Sequence, residues 1–248
     1  MPAWNEEQCI ANTIREVQAI ASQADILVVD DGSMDRTVAR ARAAGAEVLI
    51  LPFNLGVGGA MRAGFKYAER HDYDAAIQVD ADGQHDPREI VGILERLDLS
   101  NGTDAGDRAD VVIGARFAEK GDYRVRGPRR WAMVVLSKVL SRMSKTKLTD
   151  VTSGFRAANR RTIALYARHY PAEYLGDTVE SLVIVLRSGL RVTQVPIHMR
   201  PRQGGAPSNP PFSAAVYLGR AMLALLLAKI RRWPALTSAD DDLVRDPR

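Results

Sequence analysis

A chain of 248 residues with one cysteine is long enough to bury a core unaided, and Cys9 alone excludes a disulfide framework or a thiolate zinc site, as in a reducing compartment. No leader-like segment opens it and no run reaches the ~18 apolar residues that span a bilayer, which predicts a soluble or membrane-peripheral protein. The formal charge of +4 is uneven: carboxylates crowd the first half, while 124–161 and 187–232 are rich in Arg and Lys, suiting phosphate-bearing ligands or an anionic membrane; without stacking aromatics, nucleic acid is not expected.

The opening "MPAWNEE" reads as the end of a buried strand and the start of a helix. Ile10, Ile14, Val17 and Ala21 recur at helical spacing and predict an amphipathic helix over 6–22 with Asn5 as N-cap. "DILVVDDGS" is a short β-branched run ending in carboxylates and glycine, the pattern of a buried parallel strand feeding a loop. The alternation continues through a helix over 35–44, a strand over 47–51, a glycine-rich loop "NLGVGG", a helix over 60–70, a strand over 75–79 and a helix over 87–97. Such alternation predicts an α/β fold whose mostly parallel sheet is covered by helices.

Beyond a polar loop at 98–109 come a strand over 111–116, a basic loop over 119–130, helices near 130–143, 159–169 and 177–188, and a strand over 191–199. "RPRQGGAPSNPPF" breaks helix and sheet alike and reads as a mobile loop. Residues 213–231 form a strongly apolar helix followed by Arg231, Arg232 and Trp233, readable as membrane-interfacial or as packed on the domain. The charged tail 234–248 reads as disordered.

In an open α/β sheet, ligands bind beyond the carboxyl ends of the strands. Asp30 and Asp31 follow "ILVV", and Asp80 and Asp82 follow "AIQV". Four carboxylates at adjacent strand ends repel one another unless a cation or several donors lie between them. In "VDADGQHDP" an extended backbone turns Asp80 and Asp82 to one point, and with Gln84 they offer hard oxygen ligands for Mg²⁺ or Mn²⁺, which keeps positions open for substrate phosphates. His85 reads as a loop residue rather than a ligand.

"PAWNEE", "VVDDGSMDRT", "NLGVGGAMRAGF", "VDADGQHDP", "IGAR" and "TSGFR" occur in this order at strand ends. Together, over about residues 1–210, the chain resembles a family 2 glycosyltransferase of the GT-A fold, close to the dolichyl-phosphate mannose synthase branch. The resemblance implies one domain over 1–211, with a nucleotide-binding half at 1–116 and an acceptor half at 117–211, followed by the 212–233 helix. It implies that Pro2, Trp4, Glu6 and Asp31 line a nucleoside pocket, that Asp80, Ala81, Asp82 and Gln84 hold the diphosphate and its metal, and that Arg116 and Arg202 meet phosphate oxygens.

The implied reaction is inverting transfer from GDP-mannose or a UDP-sugar to a polyprenyl phosphate at the cytoplasmic face of a membrane, with Asp82, Arg116 and Asp150 nearest the chemistry. Such an acceptor is already an anionic nucleophile and needs no general base. Arg126, Arg129, Arg130 and Lys138 would receive its phosphate, and the apolar faces near 131–140 and 213–230 its lipid. Two other readings stay open: a sugar-hydroxyl acceptor with Asp150 or Asp177 as base, and a nucleotide-sugar-binding scaffold without turnover. Arg156 and Glu180 are weaker candidates.

Three departures stand out. The late loop has Asn209 where the resemblance leads one to expect Lys, and Trp4 replaces a Tyr or Phe. No membrane-spanning helices follow, so docking falls to the C-terminal helix or to a separate small membrane protein. A central first strand of ~5 residues is also expected, but only two or three precede Trp4, which predicts a start upstream of Met1 or a gap beside "ILVV".

Overall fold

The computed structural model describes residues 1–100, 106–116, 128–172 and 177–201, leaving aside the side chains of 128–133 and 177. Outside the described residues therefore lie Arg126 in the basic loop, the side chains of Arg129, Arg130 and Asp177, the late loop with Arg202, the apolar helix over 213–231 and the tail.

Strands β1 (Pro2–Ala3), β2 (Leu27–Asp30) and β3 (Glu47–Ile50) form one sheet in the order β1-β2-β3, all parallel. Strands β4 (Ala75–Gln78), β5 (Val111–Ala115), β6 (Arg156–Asn159) and β7 (Val192–Pro196) form a second, ordered β4-β6-β5-β7. The β5–β7 pair is parallel, but β6 runs antiparallel to both its neighbours, with Arg156 opposite Gln78 on one side and Ile113 on the other. The segment entering β6 is thereby set at the carboxyl ends of both β4 and β5. A parallel-only reading of the sequence misses this strand, because "RAAN" carries no β-branched residue.

Strand β1 is two residues long; among the described residues it pairs with β2 alone, and no ladder joins the two sheets. Met1 packs against hydrophobic clusters of both sheets, and its α-amino group donates to the Leu27 carbonyl at 2.8 Å. Burial pushes that amine down to about 6, partly countered by the Asp80 carboxylate.

The helices are α1 (Ile10–Ile20), α2 (Thr37–Ala43), α3 (Gly56–Arg70), α4 (Glu89–Glu95), α5 (Pro128–Ser144), α6 (Arg160–His169) and α7 (Asp177–Arg187). Along β5 the side chains alternate between two cores. Val111 and Ile113 join Phe65, Leu136, Leu140, Tyr166 and Leu182, whereas Val112 joins Ile90, Ile93, Phe155 and Ala157. The stretch expected as a glycine-rich loop is the first turn of α3. A Cβ on Gly58 would meet the Pro171 carbonyl oxygen at 2.4 Å, so glycine is what lets α3 lie against the chain leaving α6.

Candidate active site

The first two strand-end loops clasp each other. Asn5 has φ 54 and, contrary to the sequence reading, does not cap α1, whose N-cap is Cys9. Its side-chain oxygen instead accepts the Met34 N–H at 2.9 Å, and its own N–H donates to Ser33 Oγ at 2.9 Å. Glu6 N–H donates to Thr37 Oγ1, Glu7 N–H to Asp35 Oδ2, and Arg36 N–H to Glu7 Oε2. Trp4 stands 51% exposed above this clasp.

Asp30, the last residue of β2, and Asp31, which follows it, are both buried. Asp30 Oδ2 accepts the Ser33 N–H, while its Oδ1 is buried with no hydrogen-bond partner among the described residues. Asp31 Oδ1 accepts the Leu55 N–H at 2.7 Å, at the start of α3. Burial raises the Asp31 pKa, the amides of Leu55 and Gly56 pull it back, and the charge of Asp30 adds to the rise.

The segment after β4 is a turn rather than the extended stretch expected. Asp82 Oδ1 accepts the Gln84 N–H at 3.0 Å, and Gly83 takes φ 75, which closes the turn. Thr13 Oγ1 of α1 holds the Ala81 carbonyl at 3.2 Å. Asp80 Oδ1 accepts from Gln78 Nε2 at 3.0 Å, and its side chain is 39% exposed, whereas Asp82 is buried. Two carboxylates with hard oxygens on one turn suit a divalent cation. Among the described residues no three His, Cys, Asp or Glu side chains gather into a group that could hold a metal ion by themselves.

Across β6, Arg116 leaves the end of β5 and meets Asp150. Its Nε donates to Asp150 Oδ2 at 2.6 Å, its Nη2 to Oδ1 at 3.1 Å, and its main-chain N–H to Oδ2 at 3.2 Å. Thr152 adds its N–H and its hydroxyl to Oδ1, and Arg116 Nη2 also donates to the Thr152 hydroxyl. Burial alone would raise the Asp150 pKa, but the guanidinium and these donors outweigh it and hold the carboxyl below its ordinary value.

Residues 150–155 thus form a shared wall. At one end Asp150 and Thr152 hold Arg116; at the other Gly154 lies so close to Asp80 that a Cβ would stand 3.4 Å from Asp80 Oδ2 and 2.9 Å from Gln78 Nε2. Arg156 fixes the wall from behind, donating to the carbonyls of Val151, Ser153 and Thr178 at 2.7 Å each. It is a buried structural hub. Asp80 and Arg116 are thereby joined through one segment at the carboxyl ends of β4 and β5.

The sequence profile described as "Glycosyl transferase family 2" matches residues 1–166. The chain belongs to that family. As a family 2 glycosyltransferase it is an enzyme, and it resembles transferases acting on lipid phosphates. The undecaprenyl-phosphate mannosyltransferase of Micrococcus luteus is 31% identical over 83% of this chain and 84% of its own. The polyprenol monophosphomannose synthase of Mycolicibacterium smegmatis is 30% identical over 83% and 77%. Among solved structures, glucosyl-3-phosphoglycerate synthase from Mycobacterium tuberculosis, in complex with Mn²⁺, UDP and phosphoglyceric acid, superposes with a TM-score of 0.62 at 21% identity, covering 92% of this chain and 76% of that one. That likeness carries the GT-A fold alone.

In this family 2 transferase, Pro2, Trp4, Glu6 and Asp31 flank the clasped loops, Asp80, Ala81, Asp82 and Gln84 make the turn after β4, and Arg116 and Asp150 are paired. Lys138 stands exposed on α5, on the same surface as Val134, Val135, Val139 and Met143. Sequence reasoning missed Arg200, which bonds Glu16 Oε2 at 2.6 Å and Asp86 Oδ1 at 2.8 Å and ties the chain after β7 to the turn. It also set aside His85, which is buried. No sequence spacing reports pairings over such separations.

Proposed function

We propose that this enzyme transfers a sugar, with inversion, from a nucleotide diphosphate to a polyprenyl phosphate. A phosphate oxygen of the lipid attacks the anomeric carbon, the bond from that carbon to the β-phosphate oxygen breaks, and the nucleoside diphosphate leaves with the bonding electrons. The observation that carries the reading is the commitment of Asp150 to Arg116. A hydroxyl acceptor needs a base to take its proton, and Asp150, one of the two carboxylates considered for that role, is saturated with donors that hold its pKa below the ordinary value. A phosphate acceptor has no proton to remove.

Asp80 and Asp82, with Gln84 beside them, would hold a divalent cation, which would supply positive charge against the diphosphate. Arg116, oriented by Asp150, is proposed to meet phosphate oxygens. The clasped first loops would hold the nucleoside. Lys138 and Arg142, exposed among apolar side chains on α5, suit an anionic membrane surface, and no helix among the described residues is long and apolar enough to cross one. Arg126, Arg129, Arg130 and Arg202 are proposed as further phosphate contacts by resemblance. The donor sugar is the first variable to screen.

The test is to incubate the protein with radiolabelled GDP-mannose, UDP-glucose or UDP-N-acetylglucosamine, Mn²⁺ or Mg²⁺ and undecaprenyl phosphate, then extract with organic solvent. Label is expected in a mild-acid-labile lipid with one donor. Label found only in water-soluble glycan would favour a hydroxyl acceptor instead.

A further inference from the structure

His85 is 3% exposed and lies within the turn that carries the strand-end carboxylates. Its Nδ1 accepts the main-chain N–H of Asp80 at 3.0 Å. In a neutral imidazole that bond leaves the proton on Nε2, and Nε2 lies 3.5 Å from Asp80 Oδ2. One ring therefore faces both the backbone and the carboxylate of the same residue. The ring is itself fixed: it stacks on Phe155 with centroids 4.5 Å apart and planes within 9°. Phe155 in turn is held by the Gly114 N–H on its carbonyl at 2.8 Å. On the far side, His85 bridges to Met199, and the Arg200 N–H donates to the Gln84 carbonyl at 2.9 Å.

Asp80 needs such support because its carboxylate is partly open to solvent just beyond the end of β4, where a short side chain samples several rotamers. Gln78 Nε2 holds one oxygen and the His85 ring faces the other. We infer that His85 is a positioning residue that sets the direction of the Asp80 carboxylate, and thereby the affinity for a divalent cation with its nucleoside diphosphate. The inference rests on the reading of Asp80 as a cation ligand. Partners standing behind metal ligands typically change metal affinity by about 10–100-fold when removed.

The probe is calorimetric titration of UDP and GDP, with and without Mn²⁺, into wild type, H85F and H85N. H85F keeps the stack on Phe155 and removes both nitrogens; H85N keeps an acceptor for the Asp80 N–H and lacks the Nε2 donor. Wild type is expected to bind one nucleotide more tightly with Mn²⁺. H85F should lose about tenfold of the Mn²⁺-assisted affinity with metal-free affinity unchanged, and H85N about threefold. Equal losses with and without Mn²⁺, or no loss in H85F, would overturn the role of His85 while leaving Asp80 as a ligand. No Mn²⁺ effect in wild type would remove the reading of Asp80 and this inference together. Should H85F fail to fold, H85N decides, and affinity equal to wild type would overturn the inference.

Discussion

Asp31 and Asp150 are both buried carboxylates at the carboxyl edge of the molecule, yet burial has opposite outcomes for them. Asp31, on the β2 side, is met by main-chain N–H groups of the α3 start and has Asp30 beside it, and its pKa rises. Asp150, on the β5 side, is met by a guanidinium and a hydroxyl, and its pKa falls. Amides supply partial charge and leave a carboxylate's own charge to be felt nearby; a guanidinium neutralises it. The first half of the edge therefore presents negative charge to a ligand, and the second half presents an arginine already aimed. That division suits a reaction in which a cation and a nucleotide are gathered on one side and an anionic acceptor on the other.

The sharpest way to break the comparison is to remove charge on the first side. Asp82→Asn should lower transfer by about 10²–10³-fold, as for loss of one preorganised electrostatic group, with little change in the urea midpoint; initial rates alongside unfolding curves check it. On the second side activity and stability should fall together. Asp150→Asn leaves the Arg116 guanidinium partly unpaired and is expected to cost about 3 kcal/mol in urea unfolding. Its rate loss should be uniform between about pH 6 and 9, whereas loss of a general base would be rescued as pH rises.

Arg156→Leu strands the carbonyls of Val151, Ser153 and Thr178 and should cost about 2–3 kcal/mol, read as a lower melting temperature.

Acid titration separates the two carboxylates by sign. A lowered folded pKa means the unfolded chain binds more protons, so the Asp150 contribution is full above about pH 4 and is lost as pH falls through the folded value. A raised folded pKa reverses this: the Asp31 contribution declines as pH climbs from about 4 through its folded value. Asp150→Asn should flatten the acid limb of a stability–pH curve. Asp31→Asn should flatten the limb above it and change stability at neutral pH by about 1 kcal/mol or less, the smallest effect of the series.

Strands β2, β4 and β5 were legible in the sequence because two-sided burial demands continuous apolar runs, and the strand-end aspartates followed from them. Strand β6 was not, since its place between β4 and β5 comes from pairing and not from its Ala-rich composition. The placement of Asp80 and Asp82 at one turn was legible, but its backbone form was not: an Asp-x-Asp-Gly-Gln sequence suits extended and turned chains alike until the Gln84 N–H finds Asp82. Asn5 shows the same limit. Cap and clasp use the same side-chain oxygen, and only the proximity of Met34, far along the chain, decides between them.

That clasp also sets how the proposed nucleotide side can open. The amides of Asn5, Glu6, Glu7, Met34 and Arg36 are bonded across the two loops, so neither loop can leave without releasing the other. Local unfolding should then be a single cooperative event. In native-state hydrogen exchange these five amides are expected to share one opening free energy, and a bound nucleotide should slow all five by the same factor.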